Sequence, residues 1–257
     1  MIKKILKCSI IAAIWLLLWQ FLAMAVGQEL LFPTPLSVAK RIFELAATLE
    51  FYKIIAHSLL RIIFGMIFGT LIGIIGGFLS ARFHIVHDFF APILVVIKAT
   101  PVASFIILLV LYFSRDLTPL IIALTVVTPI VWTGVEAGIL STDKSLLEMA
   151  QVYKMTTLSK IKHIFLPSIL PYLSAALKSS LGMAWKAGIA AEVLLQPLIS
   201  IGKMIFDSKI LLETTDLFAW TAVVIALSVA IEKIFVFALE KAMKNRSFDE
   251  KGGARFG

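Results

Sequence analysis

Residues 54–80 read IIAHSLLRIIFGMIFGTLIGIIGGFLS, and Arg61 is the only residue among them with a full charge. A helix crossing the hydrocarbon core needs roughly 20 mostly apolar residues, and this segment exceeds that length. It also carries Gly65, Gly69, Gly73 and Gly77 at strict i, i+4 spacing, which sets them on one helix face. A stripe of small residues lets a second helix approach closely. Helix packing is therefore the expected role of the four glycines, with a sliding or rocking seam as the sharper alternative.

Apolar segments of comparable character lie on both sides, at about 9–26, 89–113, 117–139, 169–191 and 218–239. The expected fold is all-α: a polytopic transmembrane helical bundle of about six spans in a lipid bilayer. Composition agrees, because 60% of the 257 residues are hydrophobic and only 16% charged, too few polar residues to cover a soluble domain. In so apolar a chain, the net charge of +8 reads as Lys and Arg held on one side of a membrane, not as a nucleic-acid surface. No nucleic-acid partner is expected. Cys8 is the single cysteine, which excludes an intrachain disulfide. The basic start and Ala23-Met24-Ala25 have the form of a signal peptide, but Ser9–Val26 is long for its apolar region and more spans follow. An uncleaved first span is the better reading.

Six spans put both termini on one side. That side holds Lys3, Lys4, Lys7, Arg82, Lys144, Lys154, Lys160, Lys162, Lys241, Lys244, Arg246, Lys251 and Arg255. The other holds Lys40, Arg41, Lys53, Arg115, Lys203 and Lys209. By the positive-inside rule the richer side is cytoplasmic, so the termini and the 140–167 loop face the cytosol. On the outer side, Thr34 suits an N-cap and Pro35 a first helical position, opening an amphipathic helix through 36–50 at the membrane interface. The outer segment 192–217 is polar and contains Gly, as a re-entrant or capping element of an outer mouth would.

Residues 140–167 read LSTDKSLLEMAQVYKMTTLSKIKHIFLP, too polar to span a bilayer. Asp143 can cap a helix through about Tyr153, with Leu146, Leu147, Ala150 and Tyr153 on one apolar face. Thr156 can cap a second short helix, and Pro167 marks the start of the fifth span. An apolar surface facing water in this way usually has a partner.

Glu148-Met149-Ala150 followed by Ile164-Phe165-Leu166-Pro167 resembles the EAA loop of type I ABC importer permeases. The Glu-to-Pro spacing, Ile164, Leu166 and Pro167 fit that pattern, and further segments are similar to nitrate/sulfonate/taurine permeases. These are the "FPTP" at 32–35, His57-Ser58-Leu59-Leu60-Arg61, the Pro101 region and Trp185–Val193. The resemblance implies that the loop docks on a separate ABC ATPase through Leu146, Leu147, Glu148, Met149, Ala150, Tyr153, Lys154, Leu166 and Pro167. It implies two permease chains, a homodimer, with two ATPases and an extracytoplasmic solute-binding protein, in a bacterial inner membrane. ATP and Mg would bind the ATPase, and this chain would hold no cofactor. Residues 1–50 would be the first span and outer helix, 51–243 the type I transmembrane domain and 244–257 a cytoplasmic tail. Two positions depart from the pattern: Met149 replaces the central alanine, and Lys154 replaces a glycine. If residue 154 is left-handed, the side chain costs on the order of 1 kcal/mol.

Ionisable residues inside a membrane usually line water or a partner. Lys178 and Lys186 share a sector of the fifth span with Ser174 and Gly182, and Lys98 lies in the third. One reading makes these five a translocation path suited to a small anion, such as a sulfonate, nitrate or taurine. The other makes them interhelical pairs, for example Lys186 with Glu192, or snorkelling cations. Nothing in the chain supports catalysis: there is no G-x-x-x-x-G-K-[ST], G-x-S-x-G or H-E-x-x-H. His57, His84, His87 and His163 are scattered, and a metal site at His84 and His87 is discounted because no cysteine is near and only Asp88 is adjacent. The competing functional classes are an ion-gradient-driven secondary transporter, which would favour inverted repeats, and the energy-coupling membrane subunit of a vitamin transporter, which lacks this Glu-to-Pro spacing.

Overall fold

The computed structural model describes the backbone of residues 2–253, with side chains described from 9 to 238 and at 6, 7 and 241. The orientation argument's Lys3, Lys4, Lys244, Arg246, Lys251 and Arg255 lie outside the described side chains, as does Cys8. So does the expected tail at 244–257. Among the described residues every regular element is helical. The helices are α1 (Ile2–Val26), α2 (Pro35–Ala46), α3 (Leu49–Arg82), α4 (His84–Ala99), α5 (Val102–Leu109) and α6 (Thr118–Leu140). Then come α7 (Lys144–Val152), α8 (Thr157–Lys160), α9 (Leu166–Leu195), α10 (Ile201–Ile210) and α11 (Thr214–Gly253).

Among the described residues five helical stretches are long and apolar enough to cross a membrane, and a sixth crossing arises if α4 and α5 count as one broken span. The third expected span, 89–113, is therefore not one straight helix. The chain turns by 105° between α4 and α5. Pro101 causes the break: it has no N–H to donate, and it forces Thr100 out of helical geometry, to ψ 128. The second span starts at Leu49, earlier than expected, because Thr48 separates it from α2. The Thr48 hydroxyl donates to the Leu45 carbonyl at 2.7 Å and accepts from the Phe51 N–H at 3.3 Å. At the start of α2, Thr34 is the N-cap, accepting from the Ser37 N–H at 3.2 Å, and Pro35 is the first residue.

Chain contacts define two units, Met1–Leu59 with Glu192–Leu227, and Leu60–Ala191 with Ser228–Gly257. In the first, Trp19 donates through Nε1 to the Pro33 carbonyl at 3.1 Å and clusters with Phe32 and Phe218. Both outer guanidinium nitrogens of a fork, Nε and one Nη of Arg41, reach the two Asp216 oxygens at 2.6 and 2.8 Å. Segment 192–217 carries the ten-residue helix α10, whose start is tied to a fully buried carboxylate. Ser58 Oγ donates to Glu192 Oε2 at 2.7 Å, the Ile201 N–H donates to Ser58 Oγ at 3.0 Å, and the Gly202 N–H donates to Glu192 Oε2 at 3.3 Å. The arrangement gives hydrogen bonds to a carboxyl group that would be costly to bury alone, and it supplies acceptors to the free donors of a helix N-terminus. Glu192 takes part in that network through Oε2.

In the second unit α6 is the central element. Gly65, Gly69, Gly73 and Gly77 all lie against it: a Cβ on them would meet α6 atoms at 2.3, 2.8, 2.7 and 2.5 Å respectively. The opposing atoms nearest Gly65, Gly69 and Gly77 are backbone oxygens of Leu120, Leu124 and Trp132. Gly76 faces the Trp132 ring, which is held by an Nε1–H to Ser80 Oγ bond of 2.9 Å and by Phe90, 5.2 Å away between ring centres. On α6 itself, Gly134 and Gly138 admit Ala176, Ile169 and Tyr172 of α9. Arg61, mostly buried, pairs with Asp116 at 3.1 Å.

Candidate functional site

Among the described residues three features carry chemistry: the loop between α6 and α9, a cavity beside the α4–α5 break, and a cluster of His84, His87 and Asp88. In the loop, Asp143 caps α7 by accepting from the Ser145 N–H at 2.9 Å, and this bond holds its pKa below the ordinary carboxylate value. The helix ends in a Schellman motif. The Met155 N–H returns to the Ala150 carbonyl at 2.9 Å and the Lys154 N–H to that of Gln151 at 3.0 Å. That geometry needs a left-handed residue between them, and Lys154 has φ 49. Lys154→Gly is therefore expected to stabilise the turn by about 1 kcal/mol. Hydrogen exchange at the Met155 amide would slow by roughly fivefold, and an unchanged rate would remove the strain argument.

The apolar residues of α7 do not share one face. Leu147 is half-buried and Ala150 fully buried, whereas Leu146, Met149 and Tyr153 turn outward at 39%, 43% and 76% exposure. Glu148 and Lys154 are exposed beside them. The second loop helix also differs from expectation. Thr156 caps α8, accepting from the Ser159 N–H at 3.3 Å, but α8 runs on into α9 through a π-helical turn at Ile161–Phe165. The wide turn falls just ahead of Pro167, whose missing N–H leaves the His163 carbonyl without its usual i+4 donor. Leu166 and Pro167 are thus the first residues of a long helix, half-buried and exposed respectively, with Pro167 at its start as expected.

The cavity, about 730 Å³, is lined by Lys98, Thr100, Thr125, Ser179 and Lys186 among apolar side chains such as Phe105, Ile122 and Met183. Lys98 sits in the last turn of α4, where the helix dipole favours a cation, and Nζ donates to Thr133 Oγ1 of α6 at 3.2 Å. Of the five residues expected along a path, the cavity brings together Lys98 and Lys186. Ser174 instead donates to the Pro171 carbonyl at 2.9 Å, Lys178 is outside the lining, and Gly182 faces open space. Thr100, Thr125 and Ser179 also line the cavity and were not among the residues expected from the sequence. The signal for Thr100 was present, since it precedes Pro101 and so had to mark the break.

On the loop side of the same unit, His84, His87 and Asp88 bring three potential ligand atoms within 4.8 Å of one another. The sequence reading discounted this cluster, yet its i, i+3, i+4 spacing at the start of α4 places all three on one face.

Apolar spans around a broken helix, with a structured polar loop between two of them, are the parts of a membrane transport permease. The chain belongs to the family described as the binding-protein-dependent transport system inner membrane component, whose model matches residues 65–247, more than half its length. It is 28% identical over 245 residues to an aliphatic sulfonates transport permease protein of Bacillus subtilis (strain 168), covering 93% of this chain and 86% of the relative. A nitrate import permease protein of Synechocystis sp. (strain ATCC 27184 / PCC 6803 / Kazusa) is 25% identical over 217 residues, 80% and 77% of the two chains. A taurine transport system permease protein of Escherichia coli (strain K12) is 24% identical over 231 residues, 87% and 82%. The protein is a permease subunit of an ABC importer, a multi-pass membrane protein whose function is transport.

Proposed function

We propose that the chain forms the path for a small anion of the sulfonate, nitrate or taurine kind and is driven by an ATPase docked on the 140–167 loop. Sulfonates and nitrate, named for two of the relatives, are anions, and taurine, named for a third, is a zwitterion that carries a sulfonate group. The observation that carries it is the cavity, where two lysines and the N-terminus of α5 converge beside the broken span. Helix N-termini and cations both favour negative charge, and broken helices at a binding site are a recurring device in transporters. Outward Leu146, Met149 and Tyr153 supply an apolar docking face, with Glu148 beside them for a basic contact on the ATPase. Two identical permease chains, two ATPases holding ATP and Mg, and an extracytoplasmic binding protein complete the importer. Both termini and the loop face the cytoplasm across the bacterial inner membrane.

The test is uptake of nitrate, taurine and an alkanesulfonate into proteoliposomes containing the whole transporter. Lys98→Met with Lys186→Met is expected to lower uptake of the accepted anion at least tenfold, on the order of 1.4 kcal/mol in barrier, while the ATPase remains bound. Lys178→Met, outside the cavity, is expected to lower it less. Unchanged uptake and unchanged substrate-stimulated ATP hydrolysis in the double variant would rule out this path.

A further inference from the structure

We infer that His84, His87 and Asp88 form a binding site for a divalent transition metal of the zinc class, with Glu136 orienting one of its ligands. Asp88 Oδ1 lies 3.1 Å from His87 Nδ1 and 3.4 Å from His84 Nδ1. About 3.3 Å separates two ligand atoms on a tetrahedral zinc with bonds near 2.0–2.1 Å, so both edges to Asp88 fit around one ion, and the edge between the two histidines, within 4.8 Å, would adjust on binding. The two imidazole planes stand nearly perpendicular, at 88° with centres 5.8 Å apart, so the rings do not stack against each other. Two neutral imidazoles and one carboxylate suit zinc, nickel or copper better than magnesium or calcium, which prefer all-oxygen sets.

The second observation comes from another helix. His87 turns its far nitrogen, Nε2, toward Glu136 Oε1 of α6 at 3.8 Å. A metal-binding histidine commonly donates its other ring N–H to a carboxylate, which fixes the tautomer that leaves the first nitrogen free to coordinate. Glu136 is only 12% exposed, so its position is set by packing. The backbone around the cluster is braced too, by Phe90 against Trp132 and by Trp132 against Ser80. Three protein ligands leave a fourth position for water. The bound ion would tie α4, through His87 and Glu136, to the loop end of α6. This site is independent of the anion path and of the docking reading.

Full-length permease without an affinity tag, in lipid nanodiscs, would be titrated with Co²⁺ and followed by visible absorption, then competed with Zn²⁺. The expected result is saturable binding of about one Co²⁺ per chain with a tetrahedral-type spectrum, displaced by Zn²⁺. His84→Ala and His87→Ala would abolish it, and Glu136→Gln would weaken it by roughly 10-fold or more while leaving the spectrum in place. Zn²⁺ would raise the melting temperature of the wild type and not of the histidine variants. His84 is exposed and His87 half-exposed, and equal melting temperatures without metal would show that all three variants fold. Absence of saturable binding, or wild-type affinity in His84→Ala and His87→Ala, would overturn the assignment.

Discussion

Gly65→Ala and Gly77→Ala each lower the melting temperature of the detergent-solubilised permease by on the order of 5 °C, and leucine at either position leaves little monodisperse protein. The added Cβ would lie 2.3 Å from the Leu120 carbonyl oxygen at residue 65 and 2.5 Å from that of Trp132 at residue 77. Neither oxygen can swing away as a side-chain tip would, so α6 itself has to move. Overpacking of this kind costs about 1–3 kcal/mol, a large part of the roughly 5–15 kcal/mol that holds a domain folded. Displacing α6 also disturbs its contacts with α9 at Gly134 and Gly138. Gly182→Ala is the control, because nothing lies within 4 Å of its Cβ position. That variant is expected to melt at or slightly above the wild-type temperature, since alanine is the better helix former. Equal stability of Gly65→Ala and Gly182→Ala, measured by thermal unfolding and size exclusion, would show that the α3–α6 seam is looser than described.

That seam indicates which features local reading can reach. The stripe at 65, 69, 73 and 77 is a periodicity, visible without knowing the partner helix. Asp143, Thr156 and Thr34 are caps whose signal lies within three residues of the groups they bind, and all three accept the bonds their positions suggest. Lys154 stood out as a side chain where the resembling family has glycine, and its φ of 49 explains why glycine is used there. Hydropathy marked 89–113 as apolar but could not give its path, because composition does not record a 105° turn. Pro101 did carry that information.

What the sequence did not reveal depends on residues far apart along the chain. Ser58 and Glu192 are 134 positions apart, and only the fold brings them to the start of α10. Lys98 and Lys186 share a cavity while Lys178 does not, although a helical wheel puts Lys178 and Lys186 in one sector. The α7 face was misjudged for a related reason. Leu146 and Leu147 are both apolar, and only packing against the rest of the unit decides that Ala150 and Leu147 turn in while Leu146, Met149 and Tyr153 turn out.

The largest functional effect is expected at that outward surface. Glu148 is exposed beside Leu146 and Met149 on a helix capped at both ends, so a substitution there leaves the permease fold intact. Within a docked interface its carboxylate would be desolvated against a basic group. Reversing such a charge typically costs 2–5 kcal/mol or more, roughly 30-fold to several-thousand-fold in affinity. The decisive measurement is co-purification of the ATPase with wild-type and Glu148→Arg permease, with uptake assayed on the same preparations. ATPase recovery is expected to fall at least 30-fold and uptake to vanish, while the permease keeps its melting temperature. Equal ATPase recovery with persisting transport would contradict the assignment of the 140–167 loop as the coupling element.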